Sequence, residues 1–83
     1  MFPPPPTSRR RQEVAEKLLE LIDALERYQT EGEADLVRDI RRELAFWAYG
    51  LSPAFGLSGQ ERNALVWGPH LRARQVALRL RIG

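Results

Sequence analysis

The most constraining feature of this sequence is a wide apolar stripe along residues 9–29. Successive members of the stripe lie four, three, four and three residues apart, the spacing that keeps side chains on one side of an α-helix. The stripe consists of Val14, Leu18, Leu21, Leu25 and Tyr28, and it is widened by Leu19 and Ile22. One partner helix cannot fully cover a stripe of this width, so we expect self-association or tight docking of a partner through this part of the chain.

A second amphipathic helix is predicted over residues 33–49. Its apolar stripe consists of Val37, Ile40, Leu44 and Trp47. Thr30 and Glu33 are spaced as an N-terminal capping box, and Gly50 is placed to end the helix in the left-handed conformation. Because the connection between the two helices is short, they are predicted to form an antiparallel αα-hairpin over residues 8–50.

The segment after the hairpin predicts one or two further short helices. Ser52–Pro53 is typical of an N-cap followed by a first-turn proline. Ser58 and Glu61 form a second capping box, which predicts a third helix. That helix is expected over Gly59–Trp67 and is ended by Gly68–Pro69.

Residues 70–82 are compatible with two structures. Four apolar residues alternate along them as in a strand: Val76, Leu78, Leu80 and Ile82. The same segment also presents apolar residues at helical spacing. No other segment predicts a strand that could pair with it, and an isolated strand is unstable. A helix is therefore preferred, and an extended segment paired with another chain is the alternative.

These elements predict a small all-α protein. With 83 residues the chain forms one domain at most, placed at 8–83, with the hairpin at 8–50 and a basic C-terminal segment at 51–83. Residues 1–7 are a proline-rich arm, because four consecutive prolines at 3–6 favour polyproline II. A core of this size stabilises a fold by only about 3–5 kcal/mol. Self-association or docking onto a partner is therefore expected.

Composition excludes several classes of protein. The absence of cysteine excludes disulfides and zinc–cysteine sites, and His70 alone is too little for a histidine metal cluster. No apolar run approaches the ~18 residues of a membrane span, and the N-terminus has no apolar signal-peptide core, so we expect a cytoplasmic protein. The serines lie where helix caps belong, and no nucleophile–base pair or glycine-rich phosphate loop is evident. We therefore expect no enzymatic activity, no cofactor and no small-molecule substrate.

The net charge of +2 conceals an uneven distribution. Residues 1–12 and 44–83 are basic, whereas residues 13–43 are acidic, and all basic side chains except Lys17 are arginines. The candidate phosphate-binding residues of the basic end are His70, Arg72, Arg74, Arg79 and Arg81. On a helix the four arginines form two adjacent rows on one broad face, which suits a nucleic-acid backbone. We expect the acidic hairpin of the same chain, rather than phosphate, to supply their counter-charges.

Residues 57–83 resemble the beginning of the helix-turn-helix of LuxR-type and sigma-factor domains. The matching residues are Leu57, Ser58, Glu61, Leu65, Val76, Ala77, Leu80, Ile82 and Gly83. The resemblance stops at the turn where the DNA-reading helix would begin. It implies that the reader helix is missing and with it sequence-specific recognition, so the function of that family is not carried over.

Aromatic residues and arginines are the candidates for binding a partner protein, because Trp, Tyr and Arg dominate interface hot spots. The candidate residues are Phe2, Arg9, Arg10, Arg11, Phe46, Trp47, Tyr49 and Trp67. The three aromatic residues at 46–49 cannot all face one direction on a helix. We expect Phe2 and the prolines to pack on that aromatic helix end. We expect Arg9–Arg11, which oppose the positive N-terminus of a helix, to meet an acidic surface or phosphate.

The sequence as a whole predicts a non-catalytic helical interaction subunit or adaptor, which self-associates or docks onto a larger protein assembly. The alternative is a small basic nucleic-acid-binding or transcription-regulating protein. Salt dependence separates the two, because phosphate binding weakens steeply with salt and binding through an apolar helix interface does not.

Overall fold

The structure, a computed structural model, describes residues 8–82, without the side chains of residues 8 and 51–54. Over this range the chain forms the helices α1 (Ser8–Glu31), α2 (Ala34–Phe55), α3 (Gly59–Trp67) and α4 (His70–Ile82). The prediction of an all-α fold is confirmed, and residues 70–82 form the preferred helix rather than the extended alternative. The proline-rich arm and the expected packing of Phe2 lie outside the described residues.

α1 and α2 form an antiparallel hairpin that turns at Gly32. This glycine has a φ of 74°, a conformation that side chains disfavour. The turn is closed by the N–H of Glu33, which donates to the carbonyl of Tyr28 at 2.9 Å. The predicted capping box at Thr30 and Glu33 is wrong. Thr30 lies inside α1, where its hydroxyl donates to the carbonyl of Glu26 at 2.9 Å instead of capping α2.

α2 continues through Gly50 and ends at Phe55. The predictions of a left-handed Gly50 and of a cap at Ser52–Pro53 are therefore wrong. Gly56, with a φ of 71°, provides the left-handed residue after the helix. We attribute the longer helix to Phe55, which is only 6% exposed. Burial of a side chain of this size contributes about 1.5–3 kcal/mol, which offsets the low helix propensity of glycine and proline.

The short helices begin and end where the sequence predicts. Ser58 Oγ accepts from the N–H of Glu61 at 3.1 Å, and Glu61 Oε1 accepts from the N–H of Ser58 at 2.9 Å. This reciprocal pair is the predicted capping box of α3. Gly68 has extended backbone and ends α3, and its N–H donates to the carbonyl of Ala64 at 3.0 Å. The chain then turns at Pro69 and enters α4.

α1 packs against two helices, α2 and α4, and α3 packs against α2 and α4 in turn. Leu18 and Ile22 of the α1 stripe are each 1% exposed, and Leu44 of α2 and Ala77 of α4 are fully buried. The core of the described residues comprises Val14, Ala15, Leu18, Leu21, Ile22, Leu25, Leu44, Ala48, Phe55, Ala64, Leu65, Val66, Ala73, Val76, Ala77 and Leu80. Two helices of the same chain thus cover the wide stripe, and its burial does not require a second chain.

The two helices of the hairpin are longer than the helices that cover them. α1 and α2 have 24 and 22 residues, whereas α3 and α4 have 9 and 13. The last turn of α3 meets α2 near Arg41, and the first turn of α4 meets α1 near Glu26. Residues 29–36 at the hairpin end are all exposed, so this end projects beyond α3 and α4. We call this part of the hairpin the overhang.

Substitution of Gly50 and of Gly56 by alanine should change stability in opposite directions. Gly50 lies inside α2, and an added Cβ would meet no atom within 4 Å. Gly50→Ala should therefore raise the free energy of unfolding by about 0.5–1 kcal/mol. Gly56→Ala, with its strained positive φ, should lower it by about 1–2 kcal/mol. Urea unfolding followed by circular dichroism measures both, and destabilisation by Gly50→Ala would show that α2 ends before Gly50.

Candidate protein-interaction surface

Arg41 joins α2 to the last turn of α3. Its Nη1 donates to the carbonyl of Val66 at 2.9 Å, and its guanidinium carbon lies 5.2 Å from the ring centre of Trp67. The cation and the aromatic face attract each other at this distance. The contact holds Trp67 beside α2, yet 67% of this residue remains exposed. Most of Trp67 is therefore open to solvent beside this contact.

A groove of about 440 Å³ lies beside this contact, between α2 and the end of α3. We call it the α2/α3 groove, and it is lined by Ala34, Val37, Arg38, Arg41, Arg42, Ala45, Tyr49, Val66 and Trp67. Val66 is buried and Val37 and Ala45 are half-buried, so aliphatic side chains form the deep part. Arg38, Arg42, Tyr49 and Trp67 are exposed and form the edges.

The groove continues onto the overhang. A second hollow of about 310 Å³ is lined by Tyr28, Gln29, Gly32, Glu33, Ala34 and Val37. It shares Ala34 and Val37 with the α2/α3 groove, so the two form one elongated depression along α2. From Ala34 to Tyr49 the axis of α2 advances by about 22 Å. This length corresponds to about four turns of a docked helix.

Three arginines line the groove on α2. Arg38 lies 3.3 Å from the carboxylate of Asp35 in an exposed pair, and Arg41 is engaged by α3 as described above. Arg42 also borders a neighbouring hollow that is lined by Asp39, Glu43 and Phe46. Within the described part of the chain, no carboxylate lies within ion-pair distance of Arg42. The lining of the groove itself therefore contains three arginines and no carboxylate.

The three aromatic residues near the middle of α2 face different directions. Phe46 points outward and is 74% exposed, whereas Trp47 is half-buried and packs on the core. The two rings meet edge to face, with centres 6.4 Å apart. Tyr49 borders the α2/α3 groove, and its hydroxyl donates to the side-chain oxygen of Asn63 at 2.8 Å. Tyr49 and Trp67 thus share one groove, and Phe46 lies outside it.

Arg9–Arg11 lie at the opposite end of the bundle from the overhang. Arg9 and Arg10 pair with Glu13 at 3.5 Å and 3.7 Å, and both pairs are exposed. Arg11 lies 5.9 Å from the ring centre of Phe55. Local contacts therefore reduce the unfavourable interaction of these cations with the N-terminus of α1. The structure does not bring them to the α2/α3 groove.

Most of the basic segment on α4 has carboxylate partners within the chain. Arg74 Nη1 lies 2.5 Å from Oδ1 of Asp23, and Arg79 pairs with the nearly buried Glu61. His70 Nε2 lies 2.8 Å from Oε2 of Glu26. Only Arg72 and Arg81 of the predicted phosphate-binding residues have no carboxylate partner among the described residues. The counter-charges come from α1 and α3, so these contacts add to the apolar packing of α4 in the bundle.

Three potential metal ligands converge at the start of α4. One atom each from Asp23, Glu26 and His70 lie within 4.8 Å of one another. The guanidinium of Arg74 already binds Asp23 at this place. A divalent cation would compete with that arginine for Asp23. We therefore interpret the three residues as part of the contact between α1 and α4.

Sequence reasoning missed the three arginines of α2 that line the groove. Arg38, Arg41, Arg42, Ala45 and Tyr49 are spaced at helical intervals of three and four or lie beside them. That spacing places them along one side of α2. This spacing was the signal available in the sequence, but it could not show that Val66 and Trp67 of α3 lie on the other side of the groove.

No family model matches this chain, and no curated protein or solved structure is significantly similar to it. None of the described helices combines the length and the apolar character that a membrane crossing requires. The function is therefore argued from the geometry of the surface.

Glu61 provides a test of how α4 is fixed. Glu61→Ala removes both the capping bond and the ion pair with Arg79 and should lower the free energy of unfolding by about 1–3 kcal/mol. Glu61→Gln keeps an acceptor for the N–H of Ser58 and should cost about half as much or less. The exposed Glu43→Ala is the control and should change stability by less than about 0.5 kcal/mol. Equal losses for both Glu61 variants would contradict a structural role of the capping bond.

Proposed function

We propose that this protein is a non-catalytic interaction module that binds a partner protein through the α2/α3 groove. The observation that carries the proposal is Trp67, which is held in place by Arg41 yet largely exposed at the edge of an aliphatic groove. Trp and Arg beside a partly desolvated apolar surface are the combination that supplies most binding energy at protein interfaces.

The alternative, nucleic-acid binding, has less support from the arrangement of charge. Its candidate residues lie on α4, where Arg74, Arg79 and His70 are next to carboxylates of the same chain. A phosphate would have to compete with these carboxylates. Arg72 and Arg81 remain for it, and two cations give only a weak electrostatic contribution.

Self-association through the groove is also less favoured than a different partner. A two-fold axis at the groove would place Arg38 and Arg42 of one copy opposite the same residues of the other. Like charges in direct opposition destabilise an interface. The stripe of α1, which favoured self-association at the level of sequence, is buried within the chain.

Nucleic-acid binding is expected to be weak. Fluorescence anisotropy with a labelled DNA duplex and a labelled RNA of about 20 nucleotides should give dissociation constants no tighter than the non-specific range of about 1–100 μM. The slope of log K against log salt should be no steeper than about −2 if α4 is the binding surface, since Arg72 and Arg81 are the two arginines of α4 without a carboxylate partner among the described residues. Nanomolar binding that disappears when Arg72 and Arg81 are both changed to Gln would favour the alternative function.

Site-specific cross-linking tests the proposal directly. Trp67→p-benzoylphenylalanine places a photoreactive aromatic side chain at the groove, and the same change at the exposed Gln75 of α4 is the matched control. Irradiation in the cells that make the protein should give protease-sensitive adducts of defined mass from position 67 and not from position 75. Equal adducts from both positions, or none from position 67, would contradict the proposal.

A further inference from the structure

We propose that the occupant of the α2/α3 groove is an acidic amphipathic helix of the partner protein. This inference rests on the proposed function and specifies the chemistry of what is bound. It is argued below from the shape of the groove, from its charge and from the residues at its two ends.

The shape of the groove suits a helix laid lengthwise. The depression runs for about 22 Å along α2 and is open to solvent along its length. Its deep part is made by Val37, Ala45 and Val66, which are small enough to admit the side chains of a neighbouring helix. A helix docked in this way inserts apolar residues at positions i, i+3, i+4 and i+7. Tyr49 and Trp67 are placed to pack against those residues.

The charge of the groove selects a negative helix. Arg38 and Arg42 are four residues apart on α2, so they lie on the same side, one turn from each other. Carboxylates four residues apart on a docked helix have the same spacing. An arginine binds a carboxylate through two parallel N–H groups, which makes each such pair specific as well as attractive. Arg42 is the stronger candidate of the two, because Arg38 already has Asp35 beside it.

The ends of the groove distinguish a helix from a polyanion. Glu33 lines the overhang end, and Asp35 lies close to it in sequence and pairs with Arg38. A nucleic-acid backbone carries charge along its whole length and would meet these carboxylates. A helix can instead place its own carboxylates only beside Arg38 and Arg42. Its positive N-terminus suits the overhang end.

The α1 helix of a second copy does not offer such a surface, because its apolar stripe is buried in its own core. The exposed side of α1 therefore presents carboxylates without the apolar residues that the deep part of the groove requires. The α2 helix of a second copy exposes Leu36 and Phe46 beside Asp39 and Glu43, but these two apolar residues do not have the spacing of i, i+3, i+4 and i+7. We therefore infer a different chain with a helix whose apolar side is free.

The test is a selection from displayed helical peptides, carried out with the full chain. The peptides have about 15 residues, with Leu or Phe fixed at i, i+3, i+4 and i+7 and Glu, Lys, Gln or Ser at the other positions. We expect the selected peptides to be enriched in Glu and to carry a net charge of about −2 or lower. Arg38→Glu with Arg42→Glu should weaken their binding by at least about tenfold.

A matched variant controls for the change in net charge. Arg72→Glu with Arg81→Glu alters the charge of the protein equally but lies on α4, and it should change binding by less than about twofold. Trp67→Ala should also weaken binding without altering the charge preference. Circular dichroism establishes that each variant remains folded. Selection of neutral or basic peptides, no selection above a Trp67→Ala background, or equal losses in both charge variants would overturn the inference.

Two further results separate this inference from the proposed function. If cross-linking at position 67 yields protein adducts whose attached segment is not an acidic helix, the proposed function stands and the inference fails. A stable dimer by sedimentation that dissociates in the variant with Arg38→Glu and Arg42→Glu would identify a second copy as the occupant and would also overturn it. Absence of any protein adduct removes the proposed function itself.

Discussion

Burial of the α1 stripe by two helices is the interaction on which the rest of this structure depends. The stripe is too wide for α2 alone, so α4 must lie along the other side of α1. That requirement determines where the chain turns at Gly68–Pro69 and how α3 spans the distance between α2 and α4. The ion pair of Arg74 with Asp23 and the contact of His70 with Glu26 reinforce a position that apolar burial already requires, because an exposed ion pair contributes less than about 1 kcal/mol.

The α2/α3 groove follows from the same packing. α3 has 9 residues and α2 has 22, so α3 cannot cover one side of α2 along its whole length. The uncovered part keeps aliphatic side chains near the surface, and the last residues of α3 form its border. Length mismatch between packed helices thus generates an apolar groove without any disruption of the core. The arginines are divided accordingly: Arg74 and Arg79 of α4 contact carboxylates, whereas Arg42 at the edge of the groove has no carboxylate partner among the described residues.

Several elements of the fold could be predicted because their signals are local. The period of apolar residues in α1 and the reciprocal contacts of Ser58 and Glu61 involve residues within a few positions of each other. The errors arose where a local signal competed with distant packing. Gly50 and Ser52–Pro53 favour a helix end, but burial of Phe55 against the core extends α2 beyond them. Within the proposed site, Trp67 and Tyr49 were candidates by residue type, whereas the arginines of α2 beside them were not selected.

The sequence by itself determined that the chain is helical, which residues form the stripe of α1, and where α3 begins and ends. These properties depend on helical periodicity and on capping bonds between neighbouring residues, so they can be read in sequence order. Only the tertiary structure decided which arginines are paired with carboxylates and which surface remains apolar. Arg41 and Val66 are 25 residues apart, and Arg74 and Asp23 are 51 apart. Contacts at such separations depend on how the helices pack, and helical periodicity does not specify them.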